Sequence, residues 1–260
     1  MMKKQGMLMA VCCLFILQGC GKPEPSKSKK DTSSQPKQHV TTEQLNYQDQ
    51  DRWKLESGDA QSPINIDTSK IVPMQDAGDI QLDYNTTVQD EEDNGHTIQL
   101  DDTGTAQING RTFAFTQFHF HAPSEHTING KHYPVEVHFV HKSQDGRLAV
   151  IGVLFQEGKE NKGFQDVLDH VKAGQKNTEV GILDITSMIP VNKSYYHYLG
   201  SLTTPPLSEN VEWYVMKEVV EASPEQIKAF QTLYSGTNRK VQPLHQRVVL
   251  YHQDQDAAQK

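Results

Sequence analysis

Two short segments place three histidines and a glutamate at alternate positions: "QFHFH" at 117–121 and "EVHFV" at 136–140. Successive side chains of a strand point to opposite faces. Gln117, His119 and His121 therefore share one face, with Phe118 and Phe120 on the other. Glu136, His138 and Val140 likewise share a face. If the two strands lie side by side with those faces matched, three imidazoles converge. Three neutral histidines with one open position are the donor set of a catalytic zinc site; a structural site is closed by a fourth protein ligand. Gln117 and Glu136 stand two residues before His119 and His138, where each can accept the second ring N–H of a ligating imidazole. Any one of these histidines alone reads as a surface or satisfied core residue. The pairing of H-x-H with E-x-H, acceptors in register, points to metal.

The surrounding chain is strand-rich. "RTFAFTQFHFHA" (111–122) alternates, "SEHTI" (124–128) is short and extended, and the Asn129-Gly130 pair after it signals a hairpin turn. "SQDGR" (143–147) is a second turn signal. "LAVIGVLF" (148–155) is a continuous apolar run, suited to a strand buried on both faces. "VEWYVMKEVV" (211–220) reads as an alternating strand. Helical spacing is confined to "NKGFQDVLDHVKAG" (161–174), which ends in glycine, and "SPEQIKAFQTLYSG" (223–236). The latter opens with Ser223 as N-cap, Pro224 at the first helical position and Gln226 three residues after the cap. The reading is mainly β, a single domain with short peripheral helices.

The N-terminus has the pattern of an export signal. Lys3 and Lys4 precede an apolar run over 7–17, too short to span a bilayer but fitting a signal core. Leu17, Gln18, Gly19 and Cys20 follow. This resembles a bacterial lipoprotein signal, in which Cys20 is lipidated; an ordinary secretory signal cut elsewhere is the alternative. Residues 1–19 are read as signal peptide, 20–39 as a disordered, lipid-anchored linker rich in Lys, Ser and Pro, 40–253 as the catalytic domain and 254–260 as a polar tail. The expected location is the outer face of the cell membrane or the periplasm, with membrane contact only through the anchor. All three cysteines, Cys12, Cys13 and Cys20, lie in the leader. The body has no thiolate, so its metal ligands must come from His, Asp and Glu. A net charge of −8 argues against nucleic acid as a partner.

Six motifs together are similar to the α-class carbonic anhydrases: "QSPINI" (61–66), "NGH" (94–96), "QFHFHAPSEHTING" (117–130), "PVEVHFVH" (134–141), "SLTTPPLSENVEW" (201–213) and "NRKVQPL" (238–244). The resemblance spans about residues 45–250. It implies a twisted, mostly antiparallel ten-stranded sheet with zinc, Zn2+, at the base of a conical cleft, held by His119, His121 and His138. It implies reversible hydration of carbon dioxide to bicarbonate and a proton through attack by zinc-bound hydroxide. Thr203 would accept from that hydroxide and donate its own proton to Glu125. His96 would be the proton shuttle, an exposed turn histidine being its plainer reading. Val140, Val150, Leu202, Val211 and Trp213 would form the carbon dioxide wall, and Thr204 would contact bicarbonate. Sulfonamides and small anions are the inhibitors it implies.

Two features depart from the family. The body has no cysteine for the disulfide of many exported relatives, and the N-terminal aromatic cluster is reduced to Tyr47 and Trp53. A surface zinc-capture or adhesion protein on the same scaffold is the rival reading. Against it, the ligands, Thr203 and Glu125 are all present and no histidine-rich loop occurs. No H-E-x-x-H motif supports a metalloprotease.

Overall fold

The structure is a computed structural model that describes residues 45–54, 58–85, 87–88, 90–93, 97–170, 176–178 and 181–254. The signal and linker, Cys20, His96, Gly174 and the end of the polar tail lie outside the described residues.

The strands in chain order begin with β1 (Asn65–Ile66), β2 (Val72–Pro73), β3 (Ile80–Tyr84), β4 (Thr87–Val88), β5 (Asp90–Asp93) and β6 (Ile98–Ile108). There follow β7 (Arg111–His121), β8 (Thr127–Ile128), β9 (Val135–Lys142), β10 (Leu148–Glu157), β11 (Lys176–Thr178) and β12 (Gly181–Ile182). The last are β13 (Tyr195–Ser201), β14 (Glu209–Met216), β15 (Val220–Ala222) and β16 (Leu250–His252). Ten of them form one continuous path, β11-β5-β6-β7-β9-β10-β14-β13-β16-β2, with β3 added on β6 and β15 on β10. Within this sheet the pairings are antiparallel except β10 with β14, β10 with β15 and β16 with β2; β1 and β8 pair separately and in parallel. The mainly β, mostly antiparallel sheet expected from the sequence is the one observed.

Local sequence explains the connections. Asn129 and Gly130 both have positive φ, 51° and 80°, and Ile128 and Lys131 exchange backbone hydrogen bonds across them. That is a two-residue turn of the kind Asn-Gly favours, because both central residues need φ above zero. The β9–β10 turn closes with Ser143 N–H on Arg147 O at 2.9 Å and Gly146 at φ 91°. Helix α1 (Lys162–His170) and helix α2 (Pro224–Leu233) are the predicted ones. In α2 the Gln226 N–H donates to Ser223 Oγ at 3.2 Å and the Ser223 N–H to Gln226 Oε1 at 3.0 Å. This is a capping box that satisfies two otherwise orphaned donors.

The sheet divides the apolar interior into two clusters. On its back face Phe113, Phe118, Phe120, Phe139 and Phe155 pack with Phe164 and Val167 of α1 and Ile227 and Phe230 of α2. On the front face lie Ile64, Ile66, Val150, Leu154, Tyr198, Val211 and Trp213.

Two expectations are corrected here. The alternation of 111–122 is not continuous. Phe115 pairs with His141 and Gln117 with Val140, so Thr116 is an extra residue on β7. This bulge switches the parity and puts Phe113 and Phe115 on the same face as Phe118 and Phe120. The strand β14 does not alternate either. It is buried from Val211 to Met216, because it lies mid-sheet between β10 and β13 with both faces covered. Glu212, the carboxylate inside that buried stretch, is held by Arg111 Nη1 at 2.8 Å, Arg147 Nη1 at 3.3 Å and the Tyr214 hydroxyl at 2.7 Å.

Candidate metal centre

The β7–β9 register sets His119 opposite His138, His121 opposite Glu136 and Gln117 opposite Val140. Directly opposed residues of an antiparallel pair lie on one face with Cβ atoms about 4.5–5.5 Å apart. The three imidazoles therefore meet, with ring centroids 5.1 Å (His119–His121), 5.2 Å (His119–His138) and 4.7 Å (His121–His138) apart. One nitrogen from each lies within 4.8 Å of the others.

The remaining nitrogen of each ring is engaged by an acceptor. His119 Nδ1 lies 2.8 Å from Gln117 Oε1, His138 Nε2 lies 2.8 Å from Glu136 Oε1, and His121 Nδ1 lies 2.6 Å from the Thr237 carbonyl. These oxygens only accept, so each of those nitrogens carries its hydrogen. The lone pairs remain on Nε2 of His119, Nε2 of His121 and Nδ1 of His138. His121 Nε2 is fully buried and has no hydrogen-bond partner. Burial holds the His119 imidazole well below its ordinary pKa, assisted by the two neighbouring histidines, and burial lowers His121 against the pull of Glu125. Both rings are thus neutral, as metal ligation requires. Three converging imidazole lone pairs, one of them an orphaned buried atom, fit zinc better than the hard oxygen-seeking cations.

A second group, His126, Glu136 and His138, also gathers potential ligands. Hydrogen bonds account for it. Glu136 Oε1 accepts from His126 Nδ1 at 2.7 Å and from His138 Nε2, and Oε2 accepts the backbone N–H groups of Glu125 and His126 at 2.9 and 2.8 Å. Burial would raise this carboxylate's pKa, but the His126 and His138 imidazoles outweigh it and hold it well below the usual range.

Around the imidazoles, Val140, Val150 and Trp213 stand in register on β9, β10 and β14. Val211 is opposite Leu148 one step along, and Leu202 packs on the same cluster. Trp213 lies 4.8 Å from His138 by ring centroid and donates its Nε1–H to the Ser201 carbonyl at 3.0 Å. The apolar residues named from the sequence are therefore brought to one side of the imidazoles. Thr204 is half-buried in the following loop, its carbonyl accepting from the Leu207 N–H at 3.0 Å. Tyr47 and Trp53 touch edge to face at 5.2 Å.

Thr203 and Glu125 are both buried, but the hydrogen bond expected between them is not formed. Glu125 Oε1 accepts the Arg239 N–H at 2.8 Å, and Oε2 has no partner. The carboxylate is turned to the 237–239 segment, with one oxygen left for a donor.

Sequence reading missed His126, Tyr198, Ser62, Thr237 and Arg239. Thr237 contributes a backbone carbonyl, which has no side-chain signature. His126 follows β7 in a loop where strand periodicity no longer speaks; Tyr198 reaches it from a distant segment, and Ser62 in turn reaches Tyr198.

The eukaryotic-type carbonic anhydrase family model matches residues 48–253. A carbonic anhydrase of Pectobacterium atrosepticum is 40% identical over 204 residues, covering 75% of this chain and 81% of that protein. Among solved structures, the α-carbonic anhydrase of Thermovibrio ammonificans in complex with the inhibitor sulfanilamide aligns at a TM-score of 0.71 and 43% identity, covering 74% of this chain and 87% of that one. The carbonic anhydrase Cah3 of Chlamydomonas reinhardtii in complex with acetazolamide aligns at 0.71 and 33% identity, covering 77% and 94%. A family model spanning the whole sheet, and relatives of this identity over most of both chains, place the protein: it belongs to the α-class, or eukaryotic-type, carbonic anhydrase family, enzymes that hydrate carbon dioxide.

Proposed function

We propose that the hydration takes place at a zinc ion held by His119, His121 and His138. The observation that carries this reading is the convergence of three imidazole lone pairs whose opposite nitrogens are all engaged by acceptors. Zinc, when bound, supplies the Lewis acidity that brings the pKa of a water to about 7, the value established for carbonic anhydrase.

The chain's own residues do the rest. Gln117, Glu136 and the Thr237 carbonyl fix ring orientation and tautomer. Val140, Val150, Leu202, Val211 and Trp213 offer an apolar wall to a substrate with no net dipole and exclude competing water. The Thr203 hydroxyl is the donor proposed for the free oxygen of Glu125. With its hydrogen committed there, Thr203 can only accept, so it orients the attacking oxygen and aims that oxygen's lone pair at the substrate carbon. Thr204 contacts the bicarbonate product. His96 takes the proton released per turnover and passes it to buffer. The neighbours solved with sulfanilamide and acetazolamide support sulfonamide inhibition of this chain.

The test is carbon dioxide hydration by the purified protein before and after treatment with a chelator. Activity should disappear with the metal and return on adding zinc. Activity in protein shown to be metal-free would overturn the reading, and zinc binding without activity would favour zinc capture.

We further propose export and anchoring through lipidated Cys20. Cys20→Ala should then move the protein from the membrane fraction to the soluble exported fraction; an unchanged distribution would refute the anchor.

A further inference from the structure

The "QSPINI" and "NRKVQPL" motifs have no part in the chemistry above, yet both end up tied to the metal side of the sheet. We propose that Tyr198, seated by Ser62, is a positioning residue for the metal centre: acting through His126 and Glu136, it holds the carboxylate that fixes His138. The inference rests on the reading of His138 as a ligand.

The contacts form an unbroken line. Glu136 Oε1 accepts from His138 Nε2 at 2.8 Å and from His126 Nδ1 at 2.7 Å. His126 Nε2 lies 2.7 Å from the Tyr198 hydroxyl, which lies 2.8 Å from Ser62 Oγ. Ser62 is itself fastened from three sides. The Ser201 N–H donates to its Oγ at 3.1 Å, its own N–H donates to Ser201 Oγ at 2.9 Å, and Arg239 Nη1 donates to its carbonyl at 2.6 Å. All four residues beyond His138 are buried, with exposures of 1% or less. The strand makes room for this approach: a Cβ on Gly200 would collide with Ser62 Oγ.

The consequence follows from donor and acceptor counts. Glu136 takes four N–H donors, two from backbone and two from imidazoles, so its orientation depends on both rings. Removing the Tyr198 hydroxyl leaves His126 Nε2 as a buried nitrogen without its partner, a costly state that favours reorientation of the ring. A reoriented His126 withdraws one of the donors that aim Glu136, and His138 then loses the acceptor that holds its ring and tautomer. Groups that touch a metal ligand in this way cost about 10–100-fold in affinity when removed. Tyr198 stands two contacts further out, so its effect is smaller.

The experiment follows removal of zinc from the loaded protein by excess dipicolinate. Tyr198→Phe should release zinc about three- to tenfold faster than wild type, scaled down from the effect of a direct partner, and Ser62→Ala should shift it in the same direction. Tyr214→Phe is the control. It removes a buried tyrosine hydroxyl from the opposite face of the same strand system, one that donates to Glu212 at 2.7 Å, and should leave zinc release unchanged. The visible spectrum of the cobalt(II)-loaded protein should change in Tyr198→Phe and not in Tyr214→Phe. Equal release rates for Tyr198→Phe and wild type would overturn the inference, as would equal acceleration by Tyr214→Phe, which would mark general loosening. If Tyr198→Phe does not fold, Ser62→Ala decides: unchanged release overturns the proposal. A wild-type protein that binds no zinc is a separate result and refutes the metal-centre reading instead.

Discussion

His119 and His138 are direct partners across the β7–β9 pairing, their ring planes perpendicular and their centroids 5.2 Å apart. They are nineteen positions apart in sequence, and the register of two strands brings them together. His121 reaches the same point from two residues along β7, because residues i and i+2 of a strand share a face. A slip of one residue in this register would turn one strand's imidazoles away from the other's. The candidate metal centre is thus a property of the sheet, and its predicted behaviour follows from which side chain holds which.

His119→Ala removes one donor without opening the back core, whose phenylalanines lie on the other face. It should abolish zinc binding and hydration while circular dichroism shows the sheet intact. Gln117→Ala leaves all three donors and removes only the acceptor at His119 Nδ1. Zinc affinity should fall by about 10–100-fold, measured by chelator competition.

Thr203→Ala keeps the three imidazoles and should keep zinc. Turnover should fall by about 10²-fold, the scale of losing one preorganised hydrogen bond in a transition state. Stopped-flow hydration with metal content measured in parallel checks this, and near-normal turnover would refute the orienting role.

His96→Ala should lower the maximal hydration rate in dilute buffer by about one to two orders of magnitude, because proton release to bulk water is capped by diffusional recombination. Carbon dioxide–bicarbonate exchange at chemical equilibrium should hardly change, since it exports no net proton. Added imidazole should restore the rate. Slowness in both assays would show that His96 is not the shuttle.

Asp102 is a buried carboxyl on β6, where the register against β7 shifts between Asp101 and Gly104. Burial raises its pKa to about 6, opposed by the Thr103 N–H on Oδ1, and Oδ2 has no partner. The folded state binds this proton more tightly than an unfolded chain, whose aspartate titrates near 3.9. Its contribution to stability is therefore full below about pH 4 and is lost as pH rises to about 6. Asp102→Asn keeps a polar group at that position but has no charge to desolvate, so relative to its effect at pH 4 it should stabilise the protein at pH 8 by up to about 3 kcal/mol, the free-energy equivalent of a pKa rise from about 3.9 to about 6. Denaturant unfolding at the two pH values measures the difference; equal effects at both would refute it.

The sequence alone determined what depends on near neighbours. Period-two spacing announced the faces of β7 and β9 and, with them, His119, His121, His138, Gln117 and Glu136. Asn129-Gly130 announced its turn because few residues accept positive φ, and Ser223 with Gln226 announced a helix start because capping is a contact over three residues. Burial of β10 was legible as an unbroken apolar run.

Tertiary structure decided what depends on partners distant in the chain. The bulge at Thr116 exists only against β9, and the full burial of β14 only because β10 and β13 flank it. Thr237 serves His121 through a carbonyl that every residue possesses. The line from His138 to Ser62 joins four segments, and beyond the Glu136–His138 pair on β9 its links lie at separations no periodicity can encode: each hydrogen bond needs two groups within about 3 Å, and that distance is set by the packing of the sheet rather than by spacing along the chain.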